Sequence, residues 1–576
     1  MWCPAGVSSE QTTATDWPGT ILALVVVTAA WAVLQLWGLE RTPFHTHGEP
    51  REAVVVQDLV QRNHWILPRR NGVTLPRKPP LFYWLAGASS RALGGIDERS
   101  IRLPSALQSG AATLLVTGAT ALLIGPPAGA AAGLALLSSF EWLRAATSAR
   151  VDMTLTFGLT LVFVGLLLFR QSERTVWRVL VYLGATWATL AKGIPGLAIP
   201  VLQIALLCAL DRSLQPLRRL RPLLGLLIVA LVAGAWYGAA TAEGGRAFLA
   251  IVANENLVRI VGAKSANLGH AHGVGYLVGA LLAGLLPWTL LLPGVAIALW
   301  RDRATLDRRD PRLFALLWSA AVFLPYAVAS SKRGVYLLPL YPAVALLLGW
   351  WAQRVWRRLT DLRVLRVMVV VLLWPLAVLC ALLAGAALAE RAGAPLLAWL
   401  PGLARGRAAA HVTAIVAAAA TPDALFPILL AAASAAAVVG ALAARAAQPR
   451  VLLAALFALN AALVLAVRLV AMPAIAAVET RREFAAALRA AVSDAALVHT
   501  VPNLDYGTLF YWGGAMPVYD PTAGGEAPPY LLMPEPTWLR APEALREIYV
   551  RLPGLRVEHG EGLPVVLVRR VPATAN

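Results

Sequence analysis

The chain has 576 residues, 59% of them hydrophobic and only 14% charged, with a net charge of +19. That apolar excess excludes an ordinary soluble domain, and the basic residues are scattered between apolar runs, which excludes a nucleic-acid surface as the origin of the charge. The three cysteines, Cys3, Cys208 and Cys380, match no metal-ligand spacing and indicate no disulfide framework.

Residues 1–19 lack the basic start and small-residue cleavage site of a secretion signal, so the first apolar run is expected to stay as an anchor. A span needs roughly 20 apolar residues. About thirteen windows qualify, at 20–38, 104–124, 127–141, 151–169, 178–190, 193–210, 221–240, 274–298, 312–330, 335–351, 366–388, 424–445 and 451–472, the third and fifth being short. Residues 20–472 therefore read as a helical polytopic membrane domain, without an internal repeat of fixed period.

Arginines cluster in alternate short connections, at Arg170, Arg174 and Arg178, at Arg212, Arg218, Arg219 and Arg221, and at Arg301, Arg303, Arg308, Arg309 and Arg312. This puts those connections and the N-terminus on the cytoplasmic side, the charge serving as topology signal and as contact for anionic lipids. The loops at 39–103 and 241–273 and the segment 473–576 then lie on the outer side.

The 39–103 loop is too long for a simple connector. Its stretch THGEPREAVVVQDL leads into a helix over 50–63, with Val55, Val56, Leu59 and Val60 on one side and Glu52, Gln57, Gln61 and Arg62 elsewhere. That pattern predicts a helix lying on the membrane interface, its valine face on lipid. Further on, Arg77-Lys78-Pro79-Pro80 precedes the aromatic Leu81-Phe82-Tyr83-Trp84-Leu85, and the 241–273 loop carries Glu255, Arg259, Lys264, His270 and His272. Residues 389–423, rich in Ala, Gly and Pro, predict a loop with a marginal helix. The composition changes at 473, where an amphipathic helix over 479–492, strand-like runs at 496–501, 530–533 and 563–568, and a helix over 542–549 predict a small α/β domain.

Glu49, Lys78, Asp152, Lys192, Glu255, Arg259, His270 and Lys332 are far apart in sequence, yet the topology puts each at or beyond the outer end of a span. Ionisable groups gathered at one membrane edge predict a polar cavity there. Carboxylates beside cations suit a phosphate-bearing amphiphile, whose leaving phosphate is held while a carboxylate handles a proton or a metal. Taken singly, each residue has a plainer account. Arg150 with Asp152 can be a helix-start ion pair, Lys192 can snorkel, Lys332-Arg333 can be a connector, and two histidines one residue apart are a weak metal signal.

In their order these motifs resemble the integral-membrane glycosyltransferases of the GT-C class that use polyprenyl-phosphate sugars, above all the lipid A 4-amino-4-deoxy-L-arabinose transferases and the protein O-mannosyltransferase-like proteins (glycosyltransferase families 83 and 39). The resemblance runs from about 38 to 352. It rests on Gly48-Glu49-Pro50-Arg51-Glu52-Ala53, Asn63-His64-Trp65, Lys78-Pro79-Pro80 before the aromatic run, Asp152, Lys192-Gly193, Glu255 with Arg259, His270, Pro287-Trp288 and Ser331-Lys332. One departure matters: the family's leading Asp matches Gly48 and its Tyr matches Glu52, so Glu49 is the nearest carboxylate.

The resemblance implies a GT-C fold of about 13 transmembrane helices with a periplasmic C-terminal domain, in a bacterial inner membrane. It implies transfer of a sugar from a polyprenyl-phosphate donor to a lipid A-like acceptor, or to a protein or other envelope glycan, with inversion at the anomeric carbon. Glu49 and Asp152 are expected to orient or deprotonate the acceptor, with a divalent metal ion between them as an option. Lys78, Lys192, Arg259 and Lys332 are expected to hold the donor phosphate, Arg51 to fix Glu49, and Glu255 and His270 to support the site. The partners implied are membrane lipids, the donor and the acceptor, with no nucleic acid. The rival classes are a secondary transporter, which calls for symmetric halves and charges near mid-membrane, and a non-catalytic lipid-linked-sugar binding protein, which the missing Asp favours.

Overall fold

The computed structural model describes residues 16–571 apart from 47, 76, 255–271, 358–362, 422–424, 493, 503–504, 521–525 and 557–563. Asp16 caps α1 (Trp17–Trp31), accepting from the Gly19 N–H at 2.9 Å, and the last turn widens into a π-turn through Leu36. The first long loop folds into α2 (Gly48–Gln61) and α3 (Leu81–Leu93). Asp97 and Ser100 then form a reciprocal capping box that starts α4 (Glu98–Leu123).

After α5 (Pro126–Ser138) and the short α6 (Phe140–Ala146), α7 (Val151–Ser172) and α8 (Thr175–Lys192) form a tight antiparallel pair. A Cβ on Gly158 would lie 2.7 Å from the Ala188 nitrogen and one on Gly184 would lie 2.6 Å from the Gly158 oxygen, so only glycine lets these backbones touch. Gly193 at φ 73° ends α8 and turns the chain into α9 (Ile194–Asp211), followed by α10 (Gln215–Leu220) and α11 (Pro222–Ala253), which breaks at Gly245.

Ten described helices are long and apolar enough to cross a membrane, and an eleventh results if Val274–Gly284 and Trp288–Thr305, bent by 102°, form one span. Of the other expected windows, 127–141 corresponds to the 13-residue α5 and 178–190 to the 18-residue α8. At 1.5 Å per residue α5 rises about 20 Å, well short of a hydrocarbon core of roughly 30 Å.

The C-terminal segment holds a four-stranded sheet in the order β1-β2-β4-β3, from β1 (Val498–Thr500), β2 (Tyr530–Pro534), β3 (Tyr549–Arg556) and β4 (Val565–Arg570). β1 runs parallel to β2, and the other pairs are antiparallel. The strands at 498–500, 530–534 and 565–570 and the helices Arg482–Ala491 and Glu543–Ile548 answer to predicted elements, whereas β3 was not expected. The marginal helix within 389–423 is Arg407–Ala419.

The valine face of α2 corrects the sequence reading. Val54, Val55, Val56 and Leu59 are buried, but against Phe82 and Tyr83 of α3 and against Leu488, Phe510 and Leu532 of the C-terminal domain, in one shared core. An amphipathic stripe records only that a helix has an apolar side; here protein covers it rather than lipid. Polar contacts set the register of this docking. Gln57 donates to the Phe510 carbonyl at 2.9 Å, the Asn71 amide exchanges hydrogen bonds of 2.9 and 2.8 Å with the Met516 backbone, and Tyr511 donates to Glu98 at 2.6 Å.

Candidate active site

The α7–α8 pairing brings the first turn of one helix beside the last turn of the other. There the Lys192 ammonium donates to Asp152 Oδ1 at 2.5 Å, with both side chains largely enclosed, and it lies 4.4 Å from the centre of the Tyr336 ring. Tyr336 in turn packs against Tyr326 with ring centres 5.2 Å apart. The Tyr326 hydroxyl is buried and has no hydrogen-bond partner among the described residues.

Lys192, Tyr326 and Tyr336 line a cavity of about 370 Å³, with Asp152, bound to Lys192, outside the lining. Its polar end is formed by Arg77 and Lys78 from the segment before α3, by Lys192, and by Ser331, Tyr326 and Tyr336. Its flank is apolar, built from Ile194, Pro195 and Ile199 of α9 and from Trp236, Phe248 and Ile251 of α11. The Trp236 indole ties α11 to the first loop by donating to the Ile66 carbonyl at 2.9 Å. Arg150 and Lys78 both act electrostatically on Asp152, so this carboxylate sits among three cations. A cavity with a cationic end and a hydrocarbon-like side accepts an anionic headgroup carrying an apolar chain.

The expected residues divide into several groups. Lys78, Lys192 and Asp152 come together. Lys332 is buried just behind the lining Ser331 and donates to the Ala329 carbonyl at 2.5 Å. Arg259, Glu255 and His270 lie outside the described residues.

Glu49 takes a different place. Its carboxylate receives two hydrogen bonds from Arg102, at 2.8 and 3.0 Å, and one from the Ala149 N–H at 2.9 Å, and it is not among the residues lining the cavity. Burial pushes this carboxyl upward, but the charge and hydrogen bonds of Arg102 with the Ala149 N–H outweigh it and hold it below the ordinary range. Arg102 also donates to the carbonyls of Leu39 and Thr42 at 2.8 and 2.6 Å and stacks on Phe44, so the Glu49–Arg102 pair clamps the start of the first loop to α4.

Contrary to the expectation from the sequence, Arg51 does not fix Glu49. It donates to Glu52 at 2.6 Å, and Glu52 also receives the Tyr83 hydroxyl at 2.6 Å. Glu49 lies two residues before Arg51, about 200° around the helix, so the two side chains leave α2 on opposite sides. At Gly48 a built Cβ would lie 2.6 Å from Arg150 Nη2, so the arginine fills the space that a side chain at this position would claim. Arg102, Tyr326 and Tyr336 were missed, and Arg77 and Arg150 were named without a part in the site. Only Arg77-Lys78 and the Arg150–Asp152 spacing marked any of them in the sequence.

No three His, Cys, Asp or Glu side chains converge as a metal-ligand set among the described residues. Glu49 and Asp152 are each paired with a cation of the chain itself, so this pair of donors does not fit a divalent ion.

Residues 77–237 match the sequence profile of the family described as dolichyl-phosphate-mannose-protein mannosyltransferase. Among curated proteins, the undecaprenyl phosphate-alpha-4-amino-4-deoxy-L-arabinose arabinosyl transferase of Aeromonas salmonicida is 28% identical over 54% of this chain and 56% of its own length. The protein of the same name from Pectobacterium carotovorum is 25% identical over 60% of this chain and 62% of its own length. The chain thus spans about three fifths of the relatives it matches. Among solved structures, ArnT from Cupriavidus metallidurans bound to undecaprenyl phosphate superposes with a TM-score of 0.74 at 20% identity, covering 98% of this chain and 100% of that one. Its apo state gives a TM-score of 0.73 over 96% and 98%. The chain therefore has the GT-C glycosyltransferase fold and is a multi-span membrane protein resembling the arabinosyl transferases and the protein mannosyltransferase family.

Proposed function

We propose that the cavity holds the phosphate of a polyprenyl-phosphate-linked sugar and that the chain transfers this sugar to an acceptor on the cavity side. That side is taken as the periplasmic face of a bacterial inner membrane, with the N-terminus cytoplasmic. An acceptor oxygen bonds to the anomeric carbon opposite the phosphate, and the carbon–oxygen bond to phosphate breaks with its electron pair going to the phosphate oxygen. The polyprenyl phosphate leaves with one more negative charge and the anomeric configuration inverts.

Lys78, Lys192 and Arg77 neutralise that developing charge, which is where preorganised donors lower a barrier most. Arg259 and Lys332 are assigned to the same phosphate from the motif order, with Glu255 and His270 supporting them. The Tyr326 hydroxyl is placed to donate to a bound headgroup. The polyprenyl chain lies on the α9–α11 flank. Asp152 holds Lys192 in position and orients the acceptor, whereas Glu49 acts at a distance by fixing the loop. No step is written through a metal.

The observation that carries this reading is the joining of a cationic end to an apolar flank in one cavity of a GT-C fold. The acceptor assigned is a lipid A-like phosphate. Glu49 is locked by Arg102 and Arg150 lies over Gly48, so the site is poor in free base, and an acceptor that is already anionic needs none. The match of 77–237 to a protein mannosyltransferase family favours a second reading with a protein hydroxyl as acceptor. Mass spectrometry of envelope glycolipids and glycoproteins from a strain lacking the chain separates the two. Loss of a sugar from lipid A phosphates supports the first, loss from proteins the second, and no change in either refutes both.

A further inference from the structure

A second cavity, of about 270 Å³, lies at the far end of α7, where Arg170 is about 27 Å along the helix from Asp152 at 1.5 Å per residue. Its floor is apolar, with Leu166, Phe169, Leu207 and Leu220, and its rim carries Arg170, Arg219, Arg308 and Arg309 with Glu173 and Asp211. Both carboxylates are engaged. Arg170 grips Asp211 with two hydrogen bonds, at 2.8 and 3.2 Å, and Arg219 pairs with Glu173. Arg308 reaches the Asp211 carbonyl at 3.1 Å, and the exposed Arg309 guanidinium has no ion pair among the described residues. The rim therefore has two positive charges in excess, and Arg170 Nε is buried with no hydrogen-bond partner among the described residues.

A topology signal requires only basic residues in a short connection. It does not require four guanidinium groups from three separate connections around one cavity, held there by Arg170 donating to the Arg308 carbonyl at 2.7 Å and Gln171 to the Arg309 carbonyl at 2.8 Å. Guanidinium forks match phosphate oxygens in pairs. The apolar floor at the ends of membrane-crossing helices decides between a free anion and a lipid, because only a lipid covers both surfaces.

We propose that this cavity binds the phosphate of an anionic phospholipid from the leaflet opposite the catalytic cavity, with Arg308 and Arg309 on the phosphate and an acyl chain on Leu166 and Phe169. The test is native mass spectrometry of the full-length protein titrated with phosphatidylglycerol, phosphatidylcholine or inorganic phosphate. Phosphatidylglycerol is expected to be retained over phosphatidylcholine. An Arg308→Gln, Arg309→Gln variant is expected to lose roughly 30-fold in phosphatidylglycerol affinity, the product of about fivefold for each arginine near a lipid surface. An Arg301→Gln, Arg303→Gln variant on the same face should bind as the parent does. Equal retention of the two lipids by the unaltered protein, which needs no variant to fold, overturns the proposal. So does undiminished phosphatidylglycerol binding by the first variant, or displacement of the lipid by millimolar inorganic phosphate.

Discussion

Replacing Glu49 with Gln separates a structural role from a catalytic one. The carboxylate accepts three hydrogen bonds, two of them from Arg102, and the paired side chains are only 6% and 3% exposed, so solvent does little to screen the charge that remains. Gln keeps one acceptor oxygen and turns an NH₂ toward a guanidinium, leaving Arg102 buried and unpaired. Breaking a buried ion pair in this way costs about 3–5 kcal/mol. A denaturant titration of the purified protein in detergent should show a loss of that size for Glu49→Gln, and Arg102→Gln should show a similar one. The double variant should lose less than the sum, since neither partner is then left charged alone. Turnover per folded molecule should fall less than tenfold. Unchanged stability together with turnover reduced by three orders of magnitude or more would refute the clamp and make Glu49 the reacting carboxylate.

The same pair sets an acid limit. Because the folded Glu49 carboxyl lies below its ordinary value of 4.5, the stability it contributes is present above that value and lost as pH falls through the folded one, and Glu52, held down by Arg51 and Tyr83 despite burial, adds to the effect. Denaturation midpoints measured from pH 6 to pH 3 should fall mainly below 4.5, and a fall centred above pH 5 contradicts it. Lys78→Ala should weaken binding of polyprenyl phosphate by roughly 10- to 150-fold, the loss of about 1.5–3 kcal/mol for one charge-assisted hydrogen bond, read by ligand titration; unaltered affinity removes Lys78 from the phosphate site. Asn71→Ala deletes both amide bonds to Met516 and should loosen the C-terminal domain by about 1–3 kcal/mol. Faster proteolysis of that domain is the expected result, and parent-like resistance counts against the docking described.

The sequence indicated which charges share one end of the helices better than which of them pair. Lys78, Asp152 and Lys192 were brought together by topology alone, because charges at helix ends on one membrane face have few places to go. Glu49 was found, but its partner lies 53 residues away on α4, and no local pattern announces a contact of that separation. The α2 helix was legible from its period, whereas its covering was not, since lipid and a packed domain select the same apolar stripe. β3 was hidden by Pro553-Gly554 in its middle, which reads as a turn and instead falls at a register shift between Arg551 and Arg556. Tyr326 and Tyr336 belong to an apolar run and carry no sign, in sequence, that their rings surround a lysine.

The most direct test of the account is transfer of a labelled sugar from undecaprenyl phosphate to a lipid A acceptor by purified protein, with Asp152→Asn alongside. The unaltered chain should form the inverted product and release undecaprenyl phosphate in equal amount. Asp152→Asn should be slower by about 10² while still binding the donor, the loss expected when Lys192 and the acceptor are misplaced. No transfer by the unaltered chain to either a lipid or a protein acceptor, or a full rate in the variant, would contradict the reading of this cavity as a glycosyltransferase site.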